Sequence, residues 1–159
     1  MINFSAIGFV ESEYNDIANM PIQGCKVANN QGVLVIYAEF TEGLADLHEF
    51  SHLYVLFHLH RCNDYTLKVK PFLDNQLRGI FATRSPKRPN PIGLSIVEIE
   101  RIEGNRIYVK GIDILNQTPI IDIKPYIQAF DNITPTRDGW YEHGQDPLTT
   151  LSDNRFVGK

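Results

Sequence analysis

Three short segments hold the residues whose types and spacing suit chemistry. The first runs Gly79-Ile-Phe-Ala-Thr-Arg-Ser-Pro-Lys-Arg-Pro-Asn-Pro-Ile-Gly93. An apolar strand leads into Arg84, and a loop holding Pro86, Pro89 and Pro91 follows. Proline fixes φ and removes an N–H donor, so the shape of such a loop is largely preset. A stiff loop carrying Arg84, Lys87 and Arg88 holds cations in place at low entropic cost, which suits a carboxylate or a phosphate. The same composition also serves as a plain connector across the end of a barrel.

The second segment runs Ile112-Asp-Ile-Leu-Asn-Gln-Thr-Pro-Ile-Ile-Asp-Ile-Lys-Pro-Tyr126. Asp122 and Lys124 are two apart and share one face of a strand, with Tyr126 next on that side if the strand passes Pro125. A carboxylate, an ammonium and a phenol on one face can move a proton or orient a ligand. They equally fit a surface ion pair beside a half-buried tyrosine, which is the default reading without a pocket. The third segment is Phe50-Ser-His-Leu-Tyr-Val-Leu-Phe-His-Leu-His-Arg-Cys62. His58, His60 and Cys62 alternate, and imidazole with thiolate suggests zinc. A straight strand spaces such side chains about 7 Å apart, too far for tetrahedral ligands, and no fourth ligand is evident. No metal is therefore expected, and His52 reads as a core or strand-end histidine. Other templates fail: the chain has no G-x-G-x-x-G, no P-loop, no G-x-S-x-G and no C-x-x-C.

The elements that must position these segments read mostly as strands. Val33 to Phe40 is β-branched and aromatic, and it follows the turn signal Asn29-Asn30-Gln31-Gly32. Leu53 to Leu59 is a nearly continuous apolar run, the pattern of a strand buried on both faces. Leu94 to Ile102 partly alternates, Glu103-Gly104-Asn105 supplies a turn, and Arg106 to Val109 returns as the second strand of a hairpin. Thr118 to Ile123 is another strand, ended by Lys124-Pro125. Helix signals are confined to Thr41-Glu-Gly-Leu-Ala-Asp-Leu47, with Thr41 as cap. Six to eight short strands with little helix predict a mainly β barrel or sandwich carrying one or two short helices. The pattern weakens after about Phe130, which divides the chain into a barrel domain, 1–129, and an irregular tail, 130–159, packed on the barrel or on a partner.

Composition narrows the setting. A chain of 159 residues fits one domain. Two cysteines, Cys25 and Cys62, are too few for a disulfide framework, and Met1-Ile2-Asn3-Phe4 opens no signal peptide. No apolar run approaches a membrane span, so a cytoplasmic protein is expected. The net charge of −4 sits poorly with nucleic-acid binding, which needs Lys and Arg at phosphates. Any RNA contact then falls to a local patch, and Arg78, Arg84, Lys87 and Arg88 supply one. Charge alone favours a solvated loop.

In this order, Phe50-Ser-His-Leu53, Phe81-Ala-Thr-Arg-Ser85, Arg88-Pro-Asn-Pro-Ile-Gly93 and Asp122-Ile-Lys-Pro-Tyr126 resemble the TsaA-like family, whose members include TrmO. The likeness extends from Ile7-Gly8 to about Tyr126. It implies a single-sheet β-barrel that binds S-adenosylmethionine (SAM) outside any Rossmann fold and works as a homodimer. It further implies methylation of N6 of N6-threonylcarbamoyladenosine at position 37 of tRNA, in the anticodon loop. Carried over by matching positions, the SAM contacts are Pro21, Ile22, Gln23, His60, Arg61, Arg84, Leu94, Asp113, Ile114, Leu115 and Asn116. Ile22 departs from relatives that carry an arginine there. The chain resembles the short form, without the extra C-terminal domain of long bacterial members.

On this resemblance Asp113 is assigned to the ribose hydroxyls of SAM. Lys87, Arg88 and Asn90 are assigned to the substrate's carboxylate or the anticodon-loop phosphates. The N6–H is a poor nucleophile, so a proton acceptor helps. Asp122 or Tyr126, on the face shared with Lys124, are the residues chosen for it. Tyr65, Trp140 and Tyr141 are available to stack a splayed base, though each also suits ordinary packing. Two alternatives stay open: another methyl acceptor, or a SAM-binding sensor or RNA adaptor without turnover.

Overall fold

Alternating apolar residues build strands throughout the computed structural model, which describes residues 1–18, 20, 29–143, 151–153 and 155. In chain order these are β1 (Gly8–Glu11), β2 (Gln31–Ile36), β3 (His52–His58), β4 (Lys68–Val69) and β5 (Arg78–Gly79). After them come β6 (Ile92–Glu103), β7 (Arg106–Lys110) and β8 (Pro119–Pro125). Six strands close into an antiparallel barrel in the order β1-β2-β7-β6-β3-β8, with β1 pairing back onto β8. The mainly β barrel expected from sequence is the fold observed. The described helix amounts to α1 (Gln128–Asp131) and a few 3-10 turns.

Inward-facing residues fill the barrel. Leu53, Val55 and Phe57 of β3 meet Ile107 and Val109 of β7, Leu34 and Ile36 of β2, Val97 and Ile120. Each buried side chain of this size contributes about 1.5–3 kcal/mol. A barrel this small is packed solid with side chains, so any binding site must lie on its outside or at an end. β3 is not buried on both faces as its apolar run suggests. Its outward residues Tyr54 and Leu56 are only half-buried, because the described residues leave that face of the barrel wall partly uncovered.

Two local readings also shift. The helical turn begins at Ala38 and not at Thr41, running Ala38–Leu44 as 3-10 helix. β2 therefore stops at Ile36, where the Tyr37 N–H donates to the Ile7 carbonyl at 2.9 Å. The early turn drops Leu44 and Leu47 onto the core, a burial gain that outweighs the strand propensity of Ala38-Glu-Phe40. The hairpin at Gly104 forms as expected. Gly104 has φ +60° between β6 and β7, as two-residue hairpin loops require.

β3 and β6 lie side by side, yet residues 59–91 separate them in sequence. This excursion is pinched at its base, where the Leu59 N–H donates to the Pro91 carbonyl at 2.8 Å. Beyond the pinch it carries the β4–β5 ribbon, a 3-10 turn at Ile80–Ala82 and a small core of Val69 and Ile80 with Phe72. Long connections on a rigid sheet are where function concentrates.

Candidate functional site

Between the excursion and the barrel lies a cleft of about 910 Å³, toward the upper end of the roughly 300–1,000 Å³ usual for small-ligand sites. Phe57, Leu94, Ser95, Asp113, Ile114 and Leu115 line its barrel side. Phe81, Arg84, Ser85 and Pro86 line the opposite side with Trp140 and Tyr141, and His60, Arg61 and Cys62 join the two.

Local packing aims these groups. Gly93 lets the Phe57 ring lie flat along β6, since a Cβ there would run into that ring. Ser95, buried on β6, donates its hydroxyl to the Asp113 carboxylate at 2.5 Å, which fixes the acid at the cleft edge. Ser12 donates its hydroxyl to the Ile114 carbonyl at 2.7 Å, anchoring the 113–116 segment to the N-terminal strand. Arg88 staples the proline loop from within. Its guanidinium donates to the carbonyls of Ile80 at 3.1 Å and Thr83 at 2.7 Å and lies 5.9 Å from the centre of the Phe81 ring.

Two polar atoms at the cleft are buried with no hydrogen-bond partner among the described residues: His60 Nδ1 and Ser85 Oγ. Buried groups of this kind are rare and call for an explanation. Burial pushes the His60 pKa below the ordinary 6.5, and the charges of Arg61 and His58 push the same way against an opposing contribution from the His58 backbone. His60 is thus a neutral imidazole near pH 7. Burial raises the Cys62 thiol, outweighing the opposing pull of Lys87.

Of the residues assigned to the cofactor from sequence, His60, Arg61, Arg84, Leu94, Asp113, Ile114 and Leu115 come together at this cleft. Asn116 is not part of its lining. Its side chain accepts from the Ser12 N–H at 3.2 Å and donates to Asn15 at 3.3 Å, tying loops together. Pro21, Ile22 and Gln23 lie outside the described residues, as does Cys25. Of the substrate assignments, Arg88 lines the cleft and Lys87 and Asn90 do not. Lys87 pairs with Asp64 at 3.2 Å and Arg78 with Asp74 at 2.6 Å, so carboxylates offset much of the basic patch.

Asp122, Lys124 and Tyr126 lie outside the lining. Asp122 and Lys124 form a solvent-facing pair at 2.8 Å, and the Tyr126 ring sits 5.7 Å from that of Tyr54. His58, His60 and Cys62 do not share a strand face. β3 ends at His58 and the chain turns, with the Cys62 N–H donating to the Leu59 carbonyl at 3.0 Å. Among the described residues no three His, Cys, Asp or Glu side chains gather to hold a metal.

The family model described as the tRNA-methyltransferase O N-terminal domain matches residues 9–132. The chain belongs to the TrmO family. A Pyrococcus abyssi protein described as a probable S-adenosyl-L-methionine-binding protein is 38% identical over 154 residues, spanning 97% of this chain and 84% of that one. The human tRNA (adenine(37)-N6)-methyltransferase is 33% identical over 159 residues, and the match covers 36% of its length. The crystal structure of TrmO from Pseudomonas aeruginosa superposes with a TM-score of 0.74 at 33% identity, covering 87% of this chain and 62% of that one. The chain thus spans well under two thirds of the human relative and slightly under two thirds of the bacterial structure.

The cleft of this TrmO-family barrel fits a SAM-sized ligand. It combines an apolar floor (Phe57, Leu94, Ile114), a fixed carboxylate (Asp113), a guanidinium (Arg84) and the unpartnered His60 Nδ1. Sequence reading missed Ser85, Ser95 and Phe81. Ser85 and Phe81 stand inside the family phrase Phe81-Ala-Thr-Arg-Ser85, of which the sequence singles out Arg84 alone. Ser95 carries no signal short of its contact with Asp113.

Proposed function

We propose that this chain transfers a methyl group from SAM to N6 of N6-threonylcarbamoyladenosine at position 37 of tRNA. The observation that carries the reading is convergence. Seven of the eight described residues assigned to the cofactor from sequence line one cleft, though they come from β6, two loops and the segment after β7.

Bound there, SAM supplies a methyl group activated on a sulfonium. The chain's own residues supply position and proton management. Asp113, oriented by Ser95, accepts hydrogen bonds from ribose hydroxyls. Arg84 holds a carboxylate. Phe57, Leu94 and Ile114 exclude water beside the sulfonium, and His60 stays neutral there, so no like charge opposes it. Arg88, Lys87 and Asn90 serve the threonyl carboxylate and flanking phosphates.

The proton acceptor is assigned to Asp122, with Lys124 and Tyr126, through a homodimer. Leu94 at the cleft edge pairs with Leu56 of β3, which pairs with Asp122 of β8. Asp122 therefore sits two strand spacings, about 10 Å, from the cleft edge on the same outer face. Ile92 and Leu94 are exposed on that face, with Ile96, Tyr54 and Leu56 half-buried, a patch apolar enough to be an interface. A two-fold contact places one patch against its copy, which brings each Asp122 toward the other copy's cleft. Leu56→Lys is expected to convert a dimer to a monomer in light scattering and to lower turnover with it. A Leu56→Lys protein that stays dimeric rules this face out.

Titration calorimetry of SAM tests the cofactor assignment. Binding that Asp113→Asn weakens supports it, and equal affinity in both proteins removes Asp113 from the site. A second reading keeps SAM and changes the acceptor. It draws on the pairing of Arg78 and Lys87 with carboxylates, which thins the phosphate-binding surface. Labelled methyl transfer to total tRNA, total protein and small-molecule fractions separates the two.

A further inference from the structure

The wall facing the barrel carries aromatic rings, and the cofactor assignment takes Arg84 from that wall but none of those rings. Phe81 is 77% exposed at the cleft although Ile80, its neighbour on the same 3-10 turn, is fully buried. Trp140, the chain's only tryptophan, lines the same wall. Its indole Nε1 donates to the carbonyl of Ala82 at 2.7 Å, one residue from Phe81. Tyr141 props the indole edge-on, with ring centres 6.4 Å apart. The indole N–H is thus already used, and what Trp140 can offer a ligand is the face of its ring. On the same wall Ser85 is 6% exposed and its hydroxyl has no partner among the described residues. Flat aromatic faces beside one unsatisfied hydroxyl match a heteroaromatic ring with hydrogen-bonding edges.

We propose that Phe81 and Trp140 form a stacking shelf for the adenine ring of the methyl acceptor, with Ser85 bonding the edge of that ring. The proposal rests on the methyl-transfer reading and adds to it the place and chemistry of the acceptor site. Purine rings come from two sources here, the acceptor base and the adenosyl part of SAM. Asp113, assigned to SAM's ribose, belongs to the barrel side, and Arg84 on the excursion is assigned to SAM's carboxylate. SAM's own adenine therefore goes with the barrel, and the aromatic faces of the excursion side are left over. That division assigns the shelf to the acceptor. It also gives the segment around Trp140 a task, since the Ala82 contact closes the cleft with residues from the same chain.

Fluorescence of the single tryptophan reports on the shelf directly. In full-length protein, S-adenosylhomocysteine alone should leave the emission nearly unchanged. An anticodon stem-loop RNA with its adenosine at the acceptor position should quench it. In turnover, Trp140→Ala should raise KM for modified tRNA about 10-fold or more, since a base–aromatic stack is worth roughly 1–3 kcal/mol. Trp140→Phe keeps a π-face and loses the Ala82 bond. It should stay within about threefold of wild type if stacking is what matters.

SAM affinity by calorimetry should be the same in all three proteins. Quenching by S-adenosylhomocysteine alone, or a matching loss of SAM affinity in Trp140→Ala, overturns the proposal in favour of the cofactor's adenine. A Trp140→Phe protein as poor as Trp140→Ala overturns it in favour of a purely positioning bond to Ala82. If wild type methylates no tRNA, the methyl-transfer reading fails by itself. The stem-loop titration then still decides the shelf, because absent quenching overturns it.

Discussion

The two walls of the cleft are made differently, and the contrast bears on how this fold carries function. The barrel wall belongs to Phe57 of β3, to β6 and to the segment after β7, and Phe57 and Ile114 serve the core and the cleft together. Ser95 and Asp113 are held there by a sheet that closes on itself. The opposite wall has almost no sheet behind it. It is held by a two-stranded ribbon, the Arg88 staple to the Ile80 and Thr83 carbonyls, and the Trp140 bond to Ala82. One wall rests on the large barrel core, the other on the small core of Val69, Ile80 and Phe72 braced by a handful of polar contacts and prolines. On the proposed reading the barrel wall gives SAM a rigid floor, and the opposite wall serves SAM through Arg84 and the acceptor through its rings.

Leu53→Ala tests the barrel wall most severely. It empties part of the barrel core, where Leu53 is fully buried, and should cost about 2–5 kcal/mol of stability by denaturant melts. SAM affinity of the folded fraction should hold, because Leu53 does not line the cleft. Arg84→Ala should come next, weakening SAM binding about 10–100-fold by calorimetry, the range for a charged hydrogen bond. Unchanged affinity would remove Arg84 from the cofactor and leave its wall to the acceptor alone.

Ser85→Ala should be smaller and opposite in sign for stability. Removing a buried, unpartnered hydroxyl should leave Tm level or raised while kcat/KM for the acceptor falls about 3–10-fold. A lower Tm would show that the hydroxyl serves the fold. The smallest effect expected is in pH. Because the His60 pKa lies below 6.5, SAM affinity should be flat from pH 8 to 6.5. It should weaken only below that, as a protonated imidazole meets the sulfonium. His60→Gln should remove the dip, and a dip that persists would assign it to another group.

The barrel was legible in the sequence because strand alternation is a local signal. Ile107 and Val109, the Gly104 turn and the β6–β7 hairpin all follow from it. The run from Leu53 to Leu59 misled because apolar residues on an outer face look the same as core residues until the fold shows which face turns outward. The alternation His58-His60-Cys62 misled because residue types keep alternating after the strand has ended. That His60, Arg61, Arg84, Leu94 and Asp113 to Leu115 line one cleft was foreshadowed by family phrases. Of the opposite wall, the sequence offered Trp140 and Tyr141 as stacking residues but not their place beside Phe81 and Ser85, because those contacts are long-range. Trp140 meets Ala82 across 58 positions of sequence, and whether Ser85 finds a partner depends on packing that no local pattern encodes.

The most direct test is methyl transfer from SAM to tRNA that carries threonylcarbamoyladenosine, with the same tRNA lacking that modification alongside. Digested nucleosides are then read by mass spectrometry. A gain of one methyl, on the modified adenosine only and lost in Asp113→Asn, is the predicted result. Methyl transfer to unmodified tRNA, or none to either tRNA while SAM binds, would contradict the assignment of the acceptor.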